Sequence, residues 1–149
     1  MKLLVATDGS DPAENALAYA TDIGDATGGQ ITAVYAVDPG VYERQGSEPA
    51  SGLGDADERF IIESVEQAEE RGLEILEDAV DFCADLGQDI ETELLYGDPV
   101  SQIAAYAEEN GFETIVVGHR GRSEHEEAML GSVAKSLVER ATVPVAVVR

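Results

Sequence analysis

The residues best placed to do chemistry are Gly118-His119-Arg120-Gly121, followed after nine residues by Gly131-Ser132. They come directly after Thr114-Ile115-Val116-Val117, a β-branched run that reads as a buried parallel strand. Glycines at the carboxyl end of such a strand let backbone come close to a ligand. A small residue and a hydroxyl at the start of the next helix leave backbone N–H groups facing the same crevice. That is the layout of a phosphate or nucleotide site, with the N–H groups from Gly131 to Ala134 receiving negative charge. His119, Arg120 and Arg122 concentrate positive charge there in a chain whose net charge is −22. The alternative is a solvated arginine pair on a loop. Ser123-Glu124-His125-Glu126 has the form of a capping box and predicts a short helical turn inside the spacer.

Two common nucleotide signatures are absent. No glycine-rich run ends in Gly-Lys-Ser or Gly-Lys-Thr, and no Gly-x-Gly-x-x-Gly follows the first strand. That strand leads instead into Asp8-Gly9-Ser10-Asp11-Pro12, where Ser10 or Asp11 is suited to cap a helix and Pro12 to occupy its first turn. Asp8 falls at the carboxyl end of the sheet, where open α/β folds bind ligands. A carboxylate does not serve phosphate directly, so its chemistry would be to accept from an adenine amino group or to orient a cation and its waters. A turn-forming Asx residue is the alternative.

The elements that must position these residues alternate along the chain. Strand-like runs occur at Leu3–Thr7, Gln30–Val37, Ile90–Leu95, Thr114–Val117 and Val143–Val148. Between them lie helical patterns. Ala13, Ala16, Leu17, Ala20 and Ile23 form one apolar face, ended by Gly28-Gly29. Ile61, Val65, Ala68, Leu76, Ala79, Cys83 and Leu86 mark a long second helix with an acidic opposite face. Gly72 inside it costs about 1 kcal/mol relative to Ala, which predicts close packing against a neighbour. Val100, Ile103, Ala104 and Ala107 form a third helix, closed near Asn110-Gly111, and Val133, Leu137 and Ala141 a last one. Such alternation predicts a single α/β domain over residues 1–149, a three-layer α/β/α sandwich with a mainly parallel sheet. The segment Asp38 to Asp57, rich in glycine, proline and serine, reads as a long loop. With Tyr42 and Leu53 embedded in it, it is expected to be a partly ordered flap.

Composition narrows the partners. Thirty-one Asp and Glu face nine Lys and Arg, and Lys2 and Lys135 are the lysines. A net charge of −22 lies far outside the magnitude of about 2–8 of ordinary small-domain surfaces. The self-repulsion it creates is screened at molar salt, where the Debye length is about 3 Å. The expected setting is therefore the cytoplasm of a high-salt organism, the alternative an acidic protein of an ordinary cell. Nucleic acid and anionic membranes are poor partners, because no basic stripe neutralises phosphates. No run of about 18 apolar residues suggests a membrane span. Asp8 and Gly9 interrupt the apolar start too early for a signal peptide. The lone Cys83, at helical spacing from Leu76 and Ala79, reads as a buried core thiol.

Across its full length the chain resembles the universal stress protein family. Val117-Gly118-His119-Arg120-Gly121, nine residues, then Gly131-Ser132-Val133 is similar to the ATP-binding motif of that family's nucleotide-binding branch. Val5-Ala6-Thr7-Asp8-Gly9-Ser10, Tyr96-Gly97-Asp98-Pro99 and the closing Val143-Pro144-Val145-Ala146-Val147-Val148 match as well. The resemblance implies a five-stranded parallel sheet of order 3-2-1-4-5, Rossmann-like and of the adenine nucleotide α-hydrolase type. It also implies a homodimer through the last strand, at Val145, Ala146, Val147 and Val148. ATP with Mg²⁺ is the implied cofactor. Adenine would sit by Asp8 and the backbone near Ala33 to Ala36, ribose and phosphate by Gly118 and Gly121, and the triphosphate by Gly131, Ser132 and Val133. The implied binding set is Thr7, Asp8, Tyr35, Val117, Gly118, His119, Arg120, Gly121, Gly131, Ser132 and Val133, with no catalytic residue and no protein ligand to a metal. The function so implied is that of an ATP-binding regulator in stress response, acting on an unknown protein partner. The alternatives are a nucleotide-independent interaction module and a very slow ATP hydrolase, for which Asp8, His119 and His125 are the groups able to position water.

Overall fold

The computed structural model describes residues 1–39, 54–121 and 130–149, with residues 54–64 as backbone alone. Its strands are β1 (Lys2–Ala6), β2 (Gln30–Val37), β3 (Glu91–Tyr96), β4 (Thr114–Gly118) and β5 (Val145–Val148). The helices between them are α1 (Asp11–Thr27), α2 (Gly54–Asp85), α3 (Pro99–Glu109) and α4 (Ser132–Arg140). All strand pairs are parallel, in the order β3-β2-β1-β4-β5. β1 lies at the centre, with Ala6 paired to Val34 on one side and Val117 on the other. The expected three-layer architecture and strand order are those observed.

Alternation along β1 assigns the two cores. Leu4 and Ala6 point to one face, with Val34, Ile103, Val117 and Leu137, under α3 and α4. Leu3 and Val5 point to the other, with Leu17, Ala79, Cys83 and Val116, under α1 and α2. A strand buried on both sides has no polar face, which is why Leu3-Leu4-Val5-Ala6 is continuously apolar. Cys83 is fully buried, and its burial pushes the thiol up to about 11.

The helices begin and end where local chemistry dictates. Ser10 caps α1, its hydroxyl accepting from the Ala13 N–H at 3.3 Å, with Pro12 in the first turn. Gly28 closes that helix at φ 68°, a left-handed conformation that glycine adopts without steric cost. Asp98 caps α3 by accepting from the Ser101 N–H at 3.0 Å. Gly72 packs as its position in α2 suggests. A Cβ there would lie 2.6 Å from the Tyr35 ring and 2.8 Å from Leu94, so α2 rests directly on β2 and β3 at this point.

Three boundaries differ from expectation. α2 begins at Gly54, taking the last residues of the presumed loop. Residues 40–53 of that loop, with Tyr42 and Leu53, lie outside the described residues. Leu86 is not on the buried face of α2. It follows the helix end and is 46% exposed. The last strand starts at Val145, because Pro144 has no N–H for the ladder.

Candidate functional site

The carboxyl ends of β1, β2 and β4 open on a cavity of about 340 Å³, within the range of about 300–1,000 Å³ for small-molecule sites. It lies where the strand order reverses around β1, the place where such sheets bind ligands. Thr7 and Asp8 line it from β1, and Val34, Tyr35 and Ala36 from β2. Val117, Gly118, Arg120 and Gly121 close it beyond β4, and Gly131, Ser132 and Val133 at the start of α4. Pro99 and Ile103 of α3 and Arg71 and Ile75 of α2 complete the wall. Every residue of the expected set therefore meets at one cavity except His119.

The turn after β1 is held by its own side chains. The Thr7 N–H donates to the Val34 carbonyl at 3.0 Å, and its hydroxyl oxygen accepts from the Gly9 N–H at 3.3 Å. Asp8 Oδ1 accepts from the Ser10 N–H at 3.0 Å, the hydrogen bond of an Asx turn. Its other oxygen, Oδ2, would stand 2.8 Å from a Cβ on Gly121. Asp8 thus forms the turn of the alternative reading, and it also lines the cavity.

That contact changes the account of the glycine pair. A Cβ on Gly118 would lie 2.8–2.9 Å from the backbone and ring of Pro12, so the surface that comes close to Gly118 is the first turn of α1. Gly121 makes room for the Asp8 carboxylate in the same way. Both glycines line the cavity, but their missing side chains first allow two loops to meet.

His119 sits behind the wall. Its N–H donates to the Val148 carbonyl at 2.7 Å and its carbonyl accepts from the Gly131 N–H at 2.6 Å. Its Nε2 accepts from Arg120 Nε at 2.9 Å, which assigns the ring proton to the buried Nδ1. Among the described residues Nδ1 has no hydrogen-bond partner. The imidazole thereby steadies the arginine that does line the cavity. At α4, Gly131 occupies the cap position with extended backbone and brings no side chain to bond the first N–H groups. The positive end of that helix opens on the cavity beside Arg120. Arg122 and the spacer residues 123–129, including the capping box, lie outside the described residues. Among the described residues no cluster of three or more His, Cys, Asp or Glu is placed to hold a metal ion, and no helix is long and apolar enough to cross a membrane.

A model of the universal stress protein family matches residues 1–149. The chain belongs to this family. Universal stress protein YxiE of Bacillus subtilis is 34% identical over 148 residues, covering 99% of this chain and 98% of its own. Universal stress protein UspA from Lactobacillus plantarum has the same fold, with a TM-score of 0.82 at 24% identity over 100% of this chain and 97% of that one. A universal stress protein solved in complex with cAMP superposes with a TM-score of 0.71 at 26% identity, covering 100% and 97% of the two chains.

The wall of this universal stress protein's cavity contains residues that sequence reasoning missed. Ile103 was read only as part of a helix, and Pro99 only as part of the matching segment Tyr96-Gly97-Asp98-Pro99. Arg71 and Ile75 sit one turn apart on α2, far along the chain from either glycine motif. The one available signal was Arg71 itself, with Arg59 one of two basic residues on a strongly acidic helix, and the neighbour of Gly72.

Proposed function

We propose that this universal stress protein binds ATP, with Mg²⁺, in the cavity at the ends of β1, β2 and β4, and that it acts as a cytoplasmic, homodimeric regulator in stress response. One observation carries the reading. In a chain of net charge −22, a cavity of nucleotide-site size opens on a helix N-terminus whose cap residue, Gly131, brings no side chain, with Arg120 beside it. Adenine would lie by Thr7, Asp8 and the Tyr35 backbone, and the phosphates by Gly131, Ser132, Val133 and Arg120. The likeness to a family member that holds cAMP supports an adenine nucleotide. The purified protein, denatured, is expected to release an adenine nucleotide identifiable by mass spectrometry. Once stripped, it should bind ATP and Mg²⁺ stoichiometrically by calorimetry in 1 M KCl. Stripped protein that binds no ATP would make the nucleotide-independent interaction module the better reading.

The dimer in this reading forms through β5. That strand lies at the sheet edge, paired to β4 alone among the described residues. Its register also says which residues face outward. The Pro144 and Val148 carbonyls accept from Ile115 and His119, so Pro144, Ala146 and Val148 turn their backbone toward β4. Val145 and Val147 present theirs to the open edge. Val147→Pro removes an outward donor and leaves the β4 ladder intact. It is expected to move the protein from dimer to monomer in analytical ultracentrifugation, with its circular dichroism unchanged. A dimer that survives would place the interface on the helices.

A further inference from the structure

Resting on the nucleotide reading above, we infer that Arg71 of α2 is a nucleobase-binding residue, its guanidinium closing over the purine at the β2 end of the cavity. Arg71 and Ile75 line the cavity together, one helical turn apart on the same side of α2. The helix is brought down to the site at this turn because Gly72 has no side chain. The Tyr35 ring and Leu94 fill the space that a Cβ would need. Arg71 therefore stands beside Tyr35 at the end of β2.

Its charge is not spent elsewhere. Cations away from the cavity do structural work: Lys2 Nζ donates to the Asn110 carbonyl at 2.6 Å, and Arg140 donates to Ser101 at 3.0 Å and faces Asp98 at 3.9 Å. Arg71 makes no hydrogen bond and no salt bridge among the described residues, although Glu69, Glu70 and Glu74 surround it on its own helix. An arginine that lines a cavity while acidic neighbours go unpaired is placed for a ligand.

Topology says which part of the ligand it meets. α2 packs on β2 and β3, whereas α4 packs on β5 and α3, and β1 and β4 lie between them. The N-terminus of α4 and Arg120 serve the phosphates at the other end. At the β2 end the wall is Ile75 of α2 with Val34, Tyr35 and Ala36 of β2, an apolar slot suited to a flat base. A guanidinium is planar, carries five donors and stacks on aromatic faces, so it covers a purine and donates to its ring nitrogens.

The test compares adenosine, AMP and ATP, each measured by calorimetry or by competition in 1 M KCl, with Mg²⁺ present. Arg71→Ala is expected to weaken all three by the same factor, about tenfold. Arg71→Lys keeps the charge, loses the plane and should recover little of that loss. Arg120→Ala should instead weaken ATP more than AMP, and AMP more than adenosine. Arg71 is exposed on its helix, so neither variant should alter the circular dichroism spectrum. A loss at Arg71 that grows with the number of phosphates would make it a phosphate ligand and overturn the inference, as would unchanged binding of all three. Wild-type protein that binds none of them would instead remove the nucleotide reading on which the inference rests.

Discussion

Gly131→Glu is expected to abolish ATP binding and leave the protein folded. Gly131 is the cap residue of α4 and lines the cavity, so a side chain added there enters the space assigned to the phosphates. The carboxylate also faces the triphosphate with like charge in a partly desolvated site, which costs several kcal/mol. At about 1.4 kcal/mol per tenfold, affinity should fall at least about a hundredfold. Folding is not opposed by the same change, because a negative charge at a helix N-terminus is favourable. Gly131 also has φ −67°, an ordinary value for any residue. Ser132→Ala tests the neighbouring position and should cost only about 1 kcal/mol, the net worth of one neutral hydrogen bond. Calorimetry in 1 M KCl reads both. If Gly131→Glu binds ATP normally, the nucleotide lies elsewhere.

Thermal stability is expected to rise steeply with salt. The excess of acidic residues over nine basic ones is displayed on the outside of the fold. Glu70, Glu74, Glu77, Asp78 and Asp81 crowd the exposed face of α2 alone. Between 0.1 M and 2 M KCl the screening length falls from about 10 Å to below about 3 Å, which removes repulsion between charges a helical turn or more apart. Salt also weakens favourable pairs, but the surface pairs of the N-terminus and of Arg140 are loose. The N-terminus lies 3.9 Å from Glu113 and Arg140 lies 3.9 Å from Asp98, all well exposed. Such pairs contribute about 0–1 kcal/mol, so the lost repulsion wins. A gain on the order of 3 kcal/mol corresponds to a rise of roughly 10 °C for a chain of this size. A melting temperature that does not move across this range would sink the high-salt reading of the composition.

Much of this was legible in the sequence because it is local. Strands buried on both faces leave unbroken apolar runs, and a cap such as Ser10-Asp11-Pro12 announces the helix after it. The strand order was implied by family resemblance, since no periodicity encodes which parallel strand lies beside which. The motifs around Asp8 and Gly118 led to a common cavity because each follows a strand end, and Gly131 joins them because it caps the next helix at the same edge of the sheet. What stayed hidden depends on approach in space. That Gly118 and Gly121 yield to Pro12 and Asp8 could not be read from either segment alone. Nor could the withdrawal of His119 behind the wall, which follows from its ties to Val148 and Gly131. Arg71 was missed because nothing in an isolated amphipathic helix says which of its turns overhangs the sheet.

The backbone of His119 has a consequence for how the molecule moves. Its N–H holds the Val148 carbonyl and its carbonyl holds the Gly131 N–H, at 2.7 Å and 2.6 Å. Two adjoining peptide planes, hinged at one Cα, thus join the last residue of the edge strand to the residue before α4. Only the φ and ψ of that one residue can absorb a displacement between the two bonds. The end of β5 and the start of α4 are therefore not independent parts, and a shift of one loads the other.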